Sequence, residues 1–100
     1  MTPARLILCS DTGADVAELT DGRALPPGPR IRCDSAKGPV QFLLDGQAIR
    51  TENGPPFCPA GDANGVPAPL DLAPGPHTLC AIAWTTPVAF ASAQFSAARE

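Results

Sequence analysis

The chain has 100 residues, with seven basic and ten acidic side chains and a net charge of −3. That is the length of one domain able to bury its own core, and residues 1–100 read as a single unit. The basic residues are scattered (Arg5, Arg23, Arg30, Arg32, Lys37, Arg50, Arg99), which excludes the electrostatic stripe of a nucleic-acid binder, and no apolar run approaches the ~20 residues of a membrane span.

In chain order, Met1-Thr2-Pro3-Ala4-Arg5 leads into "LILC", too short a run for the apolar part of a signal peptide. The expectation is synthesis in the cytoplasm. Thirteen prolines and nine glycines then punctuate the whole sequence. They separate short runs of β character: "RLILC" (5–9), "VAEL" (16–19), "RIRC" (30–33), "VQFLLD" (40–45), "QAIRT" (47–51), "PLDL" (69–72), "HTLCAIAW" (77–84) and "VAFASAQFS" (88–96). No stretch of a dozen residues keeps a 3.6-residue apolar period free of Pro and Gly. About seven strands, with turns every ~8–12 residues, predict an all-β immunoglobulin-like sandwich of antiparallel strands.

Period-two alternation assigns faces. Val40, Phe42 and Leu44 share one face, and Ile31 and Cys33 share another, with Arg30 and Arg32 opposite. Asp45-Gly46 is a hairpin signal, because both residues tolerate positive φ. Pro74-Gly75-Pro76 reads as a second reversal.

The polar motifs point to structure before chemistry. Glu52 lacks a second positioned acid or base, and with Asn53 it is expected to bond loop backbone. Asp62-Ala63-Asn64-Gly65 mimics the start of a calcium loop but lacks the distal glutamate and the full oxygen set. His77 is the only histidine and has no nucleophile elbow or metal-spaced ligands beside it. No metal, cofactor or catalytic residue is therefore expected. Four cysteines (Cys9, Cys33, Cys58, Cys80) form no C-x-x-C. Cys33 shares a face with Ile31, whereas Cys80 alternates against Leu79, so free thiols are expected at both.

The central motifs resemble a known family. Phe42-x-Leu44-Asp45-Gly46, Arg50-Thr51-Glu52-Asn53, Pro56-Phe57, Gly61-Asp62 with Asn64-Gly65, and Gly75-x-His77-Thr78-Leu79-x-Ala81 are similar to a family of bacterial immunoglobulin-like domains. "LILCSDTGADVAEL" is similar to that family's first strands. Phe57 stands where the family carries tyrosine, and Val66-Pro67-Ala68-Pro69 replaces the aromatic that follows the G-D loop. The last hairpin is short. The resemblance implies a sandwich fold and a non-catalytic role. Asp45, Gly46, Glu52, Asn53, Phe57, Asp62 and Asn64 are expected to be structural loop residues.

Two strands are apolar on both faces. Leu79, Ala81 and Ala83 alternate with Cys80, Ile82 and Trp84, and Phe95 alternates against Val88 and Phe90. A half-exposed antiparallel strand should alternate apolar with polar. If Leu79, Ala81 and Phe95 point inward, as the resemblance implies, then Leu43, Cys80, Ile82, Trp84, Val88 and Phe90 form an outer apolar patch. A bulge near Ala91 would instead turn Phe90 inward. The expected role is a decoration or accessory protein of a phage-like particle, contacting a capsid or other particle protein, or a second copy, through that face. The alternative is a secreted or cell-surface module that binds carbohydrate or a cell surface.

Overall fold

The computed structural model describes residues 4–35, 37–85 and 88–98. Within them lie ten strands: β1 (Arg5–Cys9), β2 (Asp15–Glu18), β3 (Arg23–Leu25), β4 (Arg30–Asp34), β5 (Val40–Leu44), β6 (Gln47–Glu52), β7 (Asp62–Ala63), β8 (Val66–Pro67), β9 (Gly75–Ala83) and β10 (Ala89–Ala97). No helix occurs among the described residues, so none is long and apolar enough to cross a membrane.

A three-stranded sheet, β2-β1-β4, faces a five-stranded sheet, β3-β10-β9-β5-β6, and β7 with β8 makes a separate hairpin. All pairs are antiparallel except β3 with β10, which is parallel. The alternating apolar positions of β4, β5, β9 and β10 meet between the sheets. Leu6, Ile31 and Cys33 come from one side, and Val40, Phe42, Leu79, Ala81 and Phe95 from the other. Alanines at 81, 83 and 93 leave room for the rings of Phe42 and Phe95 to fill the layer.

Local chemistry sets the turns. Asp45 and Gly46 have φ of 51° and 85°, and Leu44 pairs with Gln47, so the predicted two-residue hairpin forms. Asn64 and Gly65 repeat the device at φ 52° and 86° between β7 and β8. Such left-handed pairs match the twist of the strands they join.

Three sequence-based expectations are corrected. The run 69–72 is not a strand; Pro69 makes one isolated bridge to Arg30, and Leu70 donates one backbone hydrogen bond to Pro29. Pro67 and Pro69 have no N–H to donate, so a ladder cannot run through them. Pro74-Gly75-Pro76 is not a reversal, because Gly75 and Pro76 already pair with Ala97 and Ser96 in β9. Pro76 is tolerated there because β5 pairs with β9 only from Leu79 onward. Finally, β3, β7 and β8 have no counterpart among the predicted runs.

Candidate interaction face

The two sheets present opposite kinds of outer surface. On the three-stranded sheet, Arg5 contacts Asp34 at 2.6 Å and Glu18 at 4.0 Å, and Arg32 contacts Asp15 at 2.8 Å and Asp34 at 3.7 Å. Ile7 pairs with Arg32 and Glu18 and so shares their face, yet it is only 5% exposed. Arg32 and Glu18 are its cross-strand neighbours, and long charged side chains characteristically lay their aliphatic stems over apolar surface while their heads stay in water.

The five-stranded sheet has no such cover. Directly paired residues share a face, so the register can be read across the strands. Gln41, Ile82 and Phe90 form one row, and Leu43, Cys80 and Ser92 the next. Thr51 and Ala48 extend these rows onto β6, and Thr78 and Gln94 continue them along β9 and β10. Not one of these positions is charged. Phe90 is 68% exposed, Trp84 53% and Val88 49%, while Leu43, Cys80 and Ile82 are half-buried. The β9–β10 register runs unbroken from Ala89 to Ala97, so no bulge turns Phe90 inward. The extra residue lies instead on β6, where Ile49 falls between the partners of Phe42 and Leu43. Trp84 donates from Nε1 to Gln41 Oε1 at 3.3 Å, which ties the indole to the neighbouring strand β5.

Of the remaining predicted residues, Phe57 and Asp62 fasten loops. Phe57 is buried and accepts a backbone hydrogen bond from Cys33 at 2.7 Å, which anchors the loop after β6 against β4. Asp62 Oδ2 accepts from the Gly65 amide at 2.9 Å, an ordinary turn contact. Among the described residues no group of three His, Cys, Asp or Glu side chains could hold a metal ion. The expectation for Glu52 and Asn53 is corrected. Glu52 pairs with Arg50 at 3.3 Å, and Asn53 is exposed with no side-chain hydrogen bond among the described residues. A guanidinium two residues back on the same face is a stronger donor than a neutral loop amide.

One pairing escaped sequence reasoning. Asp45 lies 2.6 Å from His77 Nδ1, and its other oxygen accepts from the Thr78 amide at 2.8 Å. His77 Nε2 lies 2.6 Å from the Ala73 carbonyl. The two residues are far apart in the chain, and no local spacing announces the contact. The pair looks like the base and orienting acid of a hydrolase, but a carbonyl occupies the nitrogen that would activate a nucleophile. Both ring nitrogens face acceptors, so the imidazolium is the form that satisfies both. The Ala73 carbonyl first, and then Asp45, raise the His77 pKa above 6.5. The bonds to His77 and to the Thr78 amide hold Asp45 below its ordinary 3.8. The stabilisation from His77 is therefore full below pH 6.5 and fades as pH rises through its raised folded value. That from Asp45 is full above pH 3.8 and fades as pH falls through its lowered value. NMR titration of the single imidazole should give a midpoint above 6.5. His77→Gln should remove the alkaline part of the stability profile. A midpoint at or below the ordinary value would mean that the clamp does not hold in solution.

The thiols divide in the same way as the faces. All four are free; Cys33 faces the core from one sheet, and Cys80 lies on the outer face of the other. Sheets pack ~10 Å apart, so these two cannot bridge. Burial pushes Cys33 up to about 11 and Cys58 up to about 12. In the native protein, a thiol reagent should therefore label Cys9 and Cys80 first, and Cys33 and Cys58 only on unfolding. Fewer than four reactive thiols in the denatured, unreduced chain would contradict this.

No family model matches the chain, and no curated protein matches it. Among solved structures, it is similar to the fibronectin(III)-like modules of Clostridium thermocellum CbhA, with a TM-score of 0.54 at 18% identity. The likeness covers 94% of this chain and 99% of that one. The chain has an immunoglobulin-like β-sandwich fold. The fold sets β5, β9 and β10 side by side, which is what gathers Leu43, Ile82 and Phe90 on one surface.

Proposed function

We propose that the chain is a non-catalytic interaction module that docks on another protein through the outer face of its five-stranded sheet. The observation that carries this reading is the contrast between the sheets. Paired charges cover one outer face, whereas the other is uncharged and exposes Trp84, Val88 and Phe90. An apolar area of this kind marks a contact when it is contiguous over a few hundred Å². Trp is the side chain most enriched among residues that dominate such contacts.

The setting proposed for it is the surface of a phage-like particle, as a decoration or accessory protein. Membership of the bacterial immunoglobulin-like family belongs to the same proposal and rests on the motif from Phe42 to Ala81. The test is gradient sedimentation of particles from the producing cells, followed by detection of the chain. The wild-type chain should travel with the particle band, and Ile82→Asp with Phe90→Asp should leave it in the soluble fractions. Wild-type chain absent from the band would reject the decoration role. A second reading, a carbohydrate- or cell-surface-binding module, draws on the exposed Trp84 ring beside Gln41. Trp84 is the only tryptophan, so its fluorescence would report sugar stacking directly.

A further inference from the structure

We infer that the occupant of this face is a second copy of the chain, related by a twofold axis that passes near Ile82. The inference rests on the docking reading above and names its partner.

Charge selects the occupant. The net charge is −3, and none of it lies on the outward strand positions of β5, β9 and β10. A charged partner surface would have its ions stripped of water with no counter-charge to meet them. The same face on a second copy brings no ions at all. An isologous contact then sets one charge-free surface against another.

Size agrees with this occupant. β9 and β10 are nine residues long, about 30 Å at ~3.3 Å per residue. With β5 and β6 beside them at ~4.8 Å spacing, the flat footprint is about 500 Å². Two such faces with side-chain relief bury about 1,000–1,500 Å² in total, enough for a specific interface. Sheets that pack face to face keep their strands within ~30° of alignment, which suits two copies of one twisted sheet.

The geometry places the axis. Ile82 is flanked by Gln41 on β5 and Phe90 on β10. Trp84 and Val88 lie beyond it at one end of the strands, and Cys80 and Leu43 at the other. A twofold near Ile82 joins the Trp84 and Phe90 rings of both copies into one aromatic cluster. Cys80 lies two residues, or about 7 Å, from that axis, so the two Cys80 thiols fall within reach of a bifunctional maleimide. Cys33 and Cys58 are buried, and Cys9 lies on the opposite sheet.

The experiment is sedimentation equilibrium of the whole chain from low to high micromolar concentration, with cross-linking in parallel. The wild type should reach twice the monomer mass and cross-link through Cys80, and Cys80→Ser should abolish the product. Phe90→Asp should weaken the dimer by about a hundredfold or more while the far-UV spectrum is kept. Val16→Asp, at an exposed position on β2, should change nothing. A wild type monomeric throughout, with no Cys80 product, overturns the second-copy occupant and leaves docking to be decided by the particle gradient. A dimer that survives Phe90→Asp and yields no Cys80 product forms elsewhere; it too overturns the second-copy occupant of this face and leaves docking to be decided by the particle gradient. Phe90 is 68% exposed, so loss of fold does not confound this variant.

Discussion

Phe42→Ala should lower stability by about 3–5 kcal/mol, the largest effect of any single substitution considered. Phe42 is 0% exposed at the middle of β5, opposite Ala81 on β9 and Arg50 on β6. The ring cannot be replaced by collapse of its surroundings. Ala81, Ala83 and Ala93 have no atoms to spare, and a large cavity would remain. A domain of this size has a total stability of roughly 5–15 kcal/mol, so the variant should be near its limit. At ~4–8 °C per kcal/mol, the melting temperature should fall by at least about 12 °C. Phe42→Leu keeps most of the volume and should cost well under half as much. Urea unfolding of the three proteins would measure the difference. A cost for Phe42→Ala below about 1 kcal/mol, the scale of an ordinary surface change, would show that the layer between the sheets is not packed around this ring.

Gly38→Ala should cost about 1–3 kcal/mol, a large effect for one added methyl group. An added Cβ would stand 2.6 Å from Cε1 and 3.0 Å from Cζ of Phe57, and 3.3 Å from the Val40 amide nitrogen. The ring has nowhere to go, because it is buried and its carbonyl is held by the Cys33 amide at 2.7 Å. The loop after β6 would shift with it. Gly54→Ala is the matched control, since an added Cβ there meets nothing within 4 Å. It should stay within about 0.5 kcal/mol of the wild type. Phe57→Leu combined with Gly38→Ala should recover part of the loss, and the double-mutant cycle measures the contact itself. Additive costs in that cycle would place the damage somewhere other than the ring.

Both variants act where distant segments meet, and there the sequence is least informative. The alternation of β4, β5 and β10 is a local property, because side chains on a strand point to opposite sides with period two. Ile31 with Cys33, and Val40 with Phe42, could therefore be placed from their spacing alone. Asp45-Gly46 declared its turn for a similar reason, since its positive φ values are a local steric permission. The sandwich follows from several such strands separated by proline and glycine.

The rest needed the tertiary structure. β3 has three residues and gains its place only by parallel pairing with β10, at the far end of the chain. β7 and β8 have two residues each, too few to show any period. Asp45 meets His77 because β5 and β9 are neighbours, a contact that neither residue's own surroundings encode. The apolar face is the sharpest case. Along 77–84 the residues alone show two apolar faces and no preference between them. The three-stranded sheet packs over Leu79 and Ala81, and Ile82, Trp84 and Phe90 are left outside. Burial is a property of what lies opposite a strand, and no spacing within the strand can supply it.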